Sequence, residues 1–159
     1  MREEFERIFD LKDDCLVMEN LKERFKMLSK PAIDDFSYIT DIYAWAKEYL
    51  EKSEVPKRIS NPVHRKKFIF IILALYSPST LVGYKIRIGL RDRISKVTGL
   101  VGTAISHNID DLLFYYSLYA SFQDDVDNMY GYIMERLAPR LVSESQRKSD
   151  QEEENTLSH

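Results

Sequence analysis

Basic side chains are concentrated in one stretch of an otherwise acidic chain. Between Lys57 and Lys96 the sequence holds ten basic residues and one acid, Asp92, so this stretch carries a charge of +9. The 159-residue chain carries −3 in total, which leaves −12 for the rest. A basic surface on a mildly acidic protein can attract a polyanion to one face. The charge distribution therefore predicts a surface that binds a polyanion such as DNA.

The basic stretch overlaps a segment with the spacing of two short helices joined by a tight turn. Within residues 91–110, Gly99 stands where such a turn needs a positive φ, and Ser95 is small where the helices would touch. Apolar residues occupy the positions that would face inward: Ile94, Val97, Leu100, Ile105 and Ile109.

Residues 91–110 resemble the helix-turn-helix of DNA-binding regulators from bacteria and phages. The resemblance rests on Ile94 in the first helix, Gly99 in the turn, and the pair Ile105-Ser106 in the second helix. It implies that the early, outward-facing residues of a recognition helix at about 103–114 contact base edges. These residues are Gly102, Thr103, Ser106 and His107.

The same resemblance implies that basic residues of the first helix and of the preceding segment contact phosphates. These residues are Lys85, Arg87, Arg91, Arg93 and Lys96. Asp110 and Asp111 would repel phosphate and mark the point where the recognition helix leaves the groove. Ser, Thr and His read several bases, so we expect a sequence preference of modest sharpness.

Two positions depart from the motif. Val101 stands where a Ser, Thr or Asp usually caps the recognition helix, so we expect the cap to come from Gly102 or Thr103. Asn108 stands at a position that is normally apolar, and Ile109 follows one residue late. The second helix is therefore expected to be rotated slightly against the first.

Two other binding functions fit parts of the sequence. Gly99-Leu-Val-Gly102 also matches the GxxG loop with which KH domains clamp single-stranded nucleic acid, although that fold needs a three-stranded sheet. The second alternative is a helical interaction module whose basic surface binds an acidic protein or the acidic ends of this chain.

Catalysis has little support in the sequence, and we expect a protein that is not an enzyme and has no cofactor, metal site or small-molecule substrate. Acid pairs such as Asp13-Asp14 are adjacent and do not share a helix face. His107 and Asp111 supply two metal ligands without a third nearby. The single cysteine, Cys15, excludes an intrachain disulfide.

Hydrophobic spacing predicts an all-α, mainly helical fold with a tri-helical helix-turn-helix core and flanking amphipathic helices. We expect helices at 2–29 and about 33–52, a linker at 53–62, and a buried helix at about 63–76. The segment at 81–88 partly alternates apolar and basic residues, which is typical of a short strand or an extended arm. The apolar run from Phe68 to Tyr76 is shorter than the ~20 residues that span a bilayer.

These elements divide the chain into four predicted parts. They are an N-terminal helical pair at 1–53, the helix-turn-helix core at 54–121, a C-terminal helix at 122–137, and a disordered acidic tail at 138–159. The amino end lacks the pattern of a signal peptide, so a cytoplasmic, nucleoid-associated protein is expected.

A helical pattern after the motif places Leu112 and six further residues at alternating steps of three and four. This spacing fits either a helix that closes over the chain's own core or the seam of a homodimer. The six dimerisation candidates are Tyr115, Tyr119, Phe122, Val126, Met129 and Ile133. The expected partner is double-stranded DNA, with a second copy of the chain if the seam is a dimer interface, and with no membrane.

Overall fold

The all-α prediction is confirmed. The computed structural model describes residues 2–158, which form seven α-helices and one 3₁₀ helix and contain no strand. No helix in this range is both long enough and apolar enough to cross a membrane. The helices are α1 (Arg2–Leu28), α2 (Tyr38–Glu51), α3 (Pro62–Tyr76), α4 (Leu90–Thr98), α5 (Gly102–Asp110), α6 (Leu112–Leu118) and α7 (Ala120–Leu157), with the 3₁₀ helix at Pro78–Val82.

Helix α3 is the central element of the core. The Asn61 side chain accepts a hydrogen bond from the Val63 N–H at 3.0 Å, and Pro62 occupies the first turn, where its missing N–H costs nothing. Nine of its residues are buried, and α3 contacts every other α-helix except α1. The prediction of a buried helix at about 63–76 is confirmed. The helix is buried because its run from Phe68 to Tyr76 is apolar on all sides.

One ion pair crosses the core between α3 and α7. Lys67 is only 3% exposed, and its Nζ lies 2.5 Å from Oδ2 of Asp125 and 3.2 Å from Nδ1 of His64. Burying an ammonium group is costly unless it is paired and hydrogen-bonded. This lysine therefore belongs to the interior, although the sequence places it among the surface cations.

The chain reverses at Tyr119, within the helical pattern that the sequence indicates from Leu112 to Ile133. The Tyr116 hydroxyl donates to Oδ1 of Asp127 at 2.9 Å, although these residues would be about 16 Å apart along a straight helix. Tyr119 adopts an extended conformation with φ −106° and ψ 106°. The reversal brings α7 back over α2 and α3, with which it makes most of its contacts.

The predicted seam is an internal surface of the chain. Phe122, Val126, Met129 and Ile133 are at most 4% exposed and belong to the core cluster. They cannot be a dimer interface, because packing on α2 and α3 already removes them from solvent. Tyr115 is half-buried against Lys66 and Phe122, and only Tyr119 is exposed.

Residues 138–157 are helical in the structure, which corrects the prediction of a disordered tail. Leu137 is fully buried and Leu141 packs against the core, so tertiary contacts carry α7 past residue 138. Beyond that point the sequence is rich in Glu, Gln, Lys and Arg, which are good helix formers. A segment with few apolar residues can still have a high helix propensity, as this one does.

The N-terminal helix α1 ends one residue before the predicted bound of 29 and has no buried residue. Its nearest anchor is an aromatic contact between Phe25 and Tyr84, whose ring centroids lie 5.0 Å apart. Helix α2, in contrast, buries Ile39, Ile42 and Ala46 in the core. The two helices grouped as an N-terminal pair therefore differ in their environment.

The segment at 81–88 is not a strand. Its first residues end the 3₁₀ helix, Gly83 takes a left-handed φ of 101°, and Tyr84–Arg87 have no regular structure. The hydroxyls of Ser77 and Thr80 fix this loop by bonding to the backbone of Arg87 and Lys85, respectively. Local hydroxyl contacts thus replace the ladder that the alternating pattern suggested.

Candidate nucleic-acid interface

Helices α4 and α5 are joined by a three-residue turn that begins at Gly99. Gly99 has a φ of +74°, a conformation that glycine adopts without steric cost. The Ser95 hydroxyl donates to the Leu100 carbonyl at 2.5 Å, and the Thr98 hydroxyl accepts from the Leu100 N–H at 3.3 Å. The turn is therefore held by side-chain hydroxyls as well as by glycine.

The spacing of the motif explains Ser95 only as a small residue between the helices and indicates no role for Thr98. The available signal was their position, because Ser and Thr in the last turn of a helix can bond the backbone that follows. Thr98 also donates to the Ile94 carbonyl at 2.7 Å, so its hydroxyl bridges the helix end and the turn.

The inward faces of α4 and α5 agree with the spacing in the sequence. Ile94 and Ile105 are fully buried, and three further residues pack partly against the core: Val97, Leu100 and Ile109. Asn108 is half-buried, and its amide donates to the Ala104 carbonyl at 2.7 Å. The helix thus satisfies the amide that occupies an apolar position of the motif.

The amino end of α5 has no side-chain cap, which corrects the expectation of a cap from Gly102 or Thr103. Val101 is the capping residue and makes no side-chain hydrogen bond. The first N–H groups of a helix have no partner within it and give this end a partial positive charge. Arg91 lies against the same end, because a Cβ on Gly102 would sit 3.2 Å from Arg91 Cδ.

The four base-contact candidates lie on two neighbouring sides of α5. Thr103 and His107, one turn apart, are exposed. Gly102 and Ser106 are half-buried, and the Ser106 hydroxyl donates to the Gly102 carbonyl at 3.1 Å. Thr103 and His107 are therefore the members of this set best placed to reach a ligand.

Ser106 also lines a small cleft between α5 and the loop after the 3₁₀ helix. The cleft has a volume of about 150 Å³ and brings Ser106 together with Lys85 and Arg91. Asp110 lines the opposite part and contributes a carboxylate. Lys85 and Ser106, which are 21 positions apart in the sequence, thus share one concave surface.

Four of the five phosphate-contact candidates are exposed. None of these four forms an ion pair with any residue within 2–158. We refer to them, with Thr103 and His107, as the α4–α5 surface. The four cations are Lys85, Arg91, Arg93 and Lys96.

Arg87, the fifth candidate, is half-buried and makes its contacts within the fold, so it is less available to phosphate than the other four. Its guanidinium donates to the Ile33 carbonyl at 3.2 Å and to Asp34 at 3.1 Å, and it lies 5.1 Å from the centre of the Phe36 ring. These contacts attach the loop before α4 to the segment before α2. Arg87 is a structural residue.

The other half of the basic stretch lies elsewhere. Lys67 is buried, Lys57 approaches Asp125 at 3.8 Å, and Lys66 sits 4.5 Å from the centre of the Tyr115 ring. The cations of the basic stretch are therefore divided among the α4–α5 surface, Arg87 in the loop before α4, and five residues on or just before α3.

One acid lies in the electrostatic field of the α4–α5 surface. The backbone N–H of Ser37 donates to Asp35 at 2.8 Å and lowers the pKa of this carboxyl, and Lys148 and Arg93 lower it further. Asp35 thus partly neutralises the Arg93 side of the surface. Lys148, on the distal part of α7, adds a cation to the same neighbourhood.

Comparison of the chain with protein-family models, with curated proteins and with solved structures finds no match. Within residues 2–158, no three His, Cys, Asp or Glu side chains converge as a metal site would require. The KH-like alternative is wrong, because that fold requires a sheet and this part of the chain has no strand. The geometry and charge of the α4–α5 surface are what remain to indicate a function.

Proposed function

We propose that this protein binds double-stranded DNA, with α5 presented to the major groove and α4 lying across the phosphate backbone. It would act as a transcriptional regulator or as an accessory factor of a phage or mobile element, at the nucleoid of a bacterial cell. The observation that carries the proposal is the exposure of Thr103 and His107 on α5, together with four exposed cations on and before α4 that form no ion pair within residues 2–158.

The local geometry supports this assignment. Two nine-residue helices separated by three residues can place the second helix against a ligand while the first remains on the body of the protein. Burial of Ile94 and Ile105 fixes the two helices to the core, so Thr103 and His107 project from a rigid element. A rigid element presents hydrogen-bonding groups with little loss of entropy.

The charges support a polyanionic partner. Arg91 lies against the uncapped amino end of α5, and Lys85 shares a cleft with Arg91 and Ser106. Arg93 and Lys96 are further exposed cations of α4. Both the helix dipole and the side-chain charges favour phosphate at such a place. Asp110 marks the acidic limit of the surface at the other end of α5.

The binding preference can be tested by selecting duplexes from a random pool at physiological salt, with excess nonspecific competitor DNA. We expect enrichment of a short sequence motif by the wild-type protein and loss of that motif by the double variant Thr103→Ala, His107→Ala. The matched control is Ser60→Ala, which removes an exposed hydroxyl before α3.

Two results would overturn the proposal. One is the absence of any enriched duplex from the selected pool. The other is binding to an acidic polypeptide that competes fully with duplex DNA, which would favour the interaction module with a basic surface.

A further inference from the structure

Helix α1 is a long helix whose apolar side chains are left in solvent by the fold of one chain. It has 27 residues, none of them buried. A helix in water depends for its stability mainly on packing of an apolar face, and large exposed apolar surfaces mark interaction sites. Its large apolar residues are 39–77% exposed: Phe5, Ile8, Phe9, Leu11, Leu16, Val17, Met18, Leu21, Phe25, Met27 and Leu28.

The charges of α1 and the two residues after it are segregated along the helix. Residues 2–16 contain three basic and six acidic side chains, whereas residues 17–30 contain four basic and two acidic side chains. The helix dipole favours acids only in the first turn, so it does not account for Asp10, Asp13 and Asp14. One half of this helix is thus electrostatically complementary to the other half.

Complementary halves of one helix can meet only if two copies lie antiparallel. We propose that the protein forms a homodimer through an antiparallel pair of α1 helices, each covering part of the exposed apolar residues of the other. A parallel pair would place acidic half against acidic half, which is unfavourable. The acidic and basic halves therefore favour a second copy of this chain as the partner, with its α1 antiparallel to the first.

The heptad positions define a register for this pair. Ile8, Leu11, Cys15 and Met18 follow each other at steps of three and four, and Phe25 continues the series one heptad after Met18. In an antiparallel pair Cys15 then faces Met18 of the second copy. Ile8 lies level with Phe25 of the second copy, whose ring also contacts Tyr84 of its own chain.

Polar residues beside the seam agree with this register. Lys22 interrupts the apolar series and faces Leu11 of the second copy, where its stem can pack while its ammonium group reaches water. Lys12 lies beside Glu19 of the second copy, and the two-fold axis repeats this pair. Within one chain these two residues are about 10 Å apart along the helix, so they pair only between copies.

The inference does not depend on DNA binding and is tested without DNA. We expect light scattering to give a mass twice that of the 18.8-kDa chain. Met18→Glu should weaken the dimer about 30-fold or more, as for a hot-spot side chain. The matched control, Met27→Glu, alters a methionine on the other side of α1 and should leave the dimer intact.

Charge reversal tests the direction and register. Lys12→Glu or Glu19→Lys alone should weaken the dimer, and the double variant should restore it, because the swapped charges again face each other across the axis. A monomeric wild-type protein at about 100 μM, or equal effects of Met18→Glu and Met27→Glu, would overturn the inference. If the double variant Lys12→Glu, Glu19→Lys did not recover dimerisation, the antiparallel register would be overturned. This test holds even if Met18→Glu unfolds α1.

Discussion

Lys67 on α3 and Asp125 on α7 form an ion pair inside the protein, with Nζ and Oδ2 2.5 Å apart. Burial opposes ionisation of Asp125, but the hydrogen bond and charge of Lys67, with Lys57 and His64, hold the pKa of this carboxyl below its usual value. The pair lies 58 residues apart in sequence and attaches the carboxyl-terminal helix to the central one.

Removing the Asp125 charge should destabilise the fold. Asp125→Asn leaves the Lys67 ammonium buried without a counter-charge, which we expect to lower the free energy of unfolding by about 2 kcal/mol. This is less than for a fully buried pair, since the Asp125 side chain is 31% exposed. Urea unfolding measures the change, and Lys67→Met in the Asp125→Asn background should recover most of it. No recovery would contradict the assigned cause.

The folded protein should lose stability in mild acid because of His64. Burial and the charges of Lys67 and Lys57 lower the pKa of this imidazole below 6.5, while Asp125 partly opposes them. As the pH falls from about 6.5, the unfolded chain takes up a proton before the folded chain does, so stability decreases until the folded pKa is passed. The contribution of neutral His64 to the free energy of unfolding is fully present above about pH 6.5. Urea unfolding between pH 5 and 8 should show this decrease in the wild type and a flatter profile in His64→Gln.

Two glycines should respond to alanine in opposite directions. Gly99→Ala forces a side chain into a positive φ and should cost about 1 kcal/mol, although no neighbouring atom obstructs the new Cβ. Gly131→Ala, in the exposed middle of α7, should stabilise the protein by about 0.5–1 kcal/mol. Thermal unfolding of the two variants measures both signs. Stabilisation by Gly99→Ala would show that the turn tolerates another conformation.

The cations of the α4–α5 surface should act uniformly on all DNA sequences. Arg91→Ala and Lys96→Ala should each weaken binding to every duplex and reduce the salt slope by about 1. Titration of a selected and a scrambled duplex at several salt concentrations separates this effect from a change in preference. Lys47→Ala, on the exposed side of α2, is the matched control. A salt slope that stays unchanged in both variants would contradict phosphate contacts.

Local patterns predicted the helices, and distant partners explain what those patterns missed. The apolar run of α3, the prolines at 31 and 62, and Gly99 are short-range signals, and the ends of α1, α3 and α4 lie within three residues of them. The predicted helices at about 33–52 and 103–114 agree less well, because the structure has Tyr38–Glu51 and Gly102–Asp110 there. Lys67 is buried because it pairs with Asp125, and Arg87 is held within the fold by Asp34. Both acids are more than fifty positions away in the sequence. Charge counting cannot separate such residues from surface cations.

The reversal at Tyr119 was missed for a different reason. Neither proline nor glycine marks it, and the residues around it all suit a helix. Packing of Phe122 and Val126 on α3 determines the direction of the chain there. The heptad pattern correctly indicated an apolar face but could not indicate whether a second copy or the same chain covers it.

The length of α7 affects how the protein moves in solution. Its 38 residues extend for about 57 Å, whereas a compact sphere of 159 residues is only about 40 Å across. Such a particle tumbles anisotropically and elutes from a sizing column ahead of a sphere of equal mass.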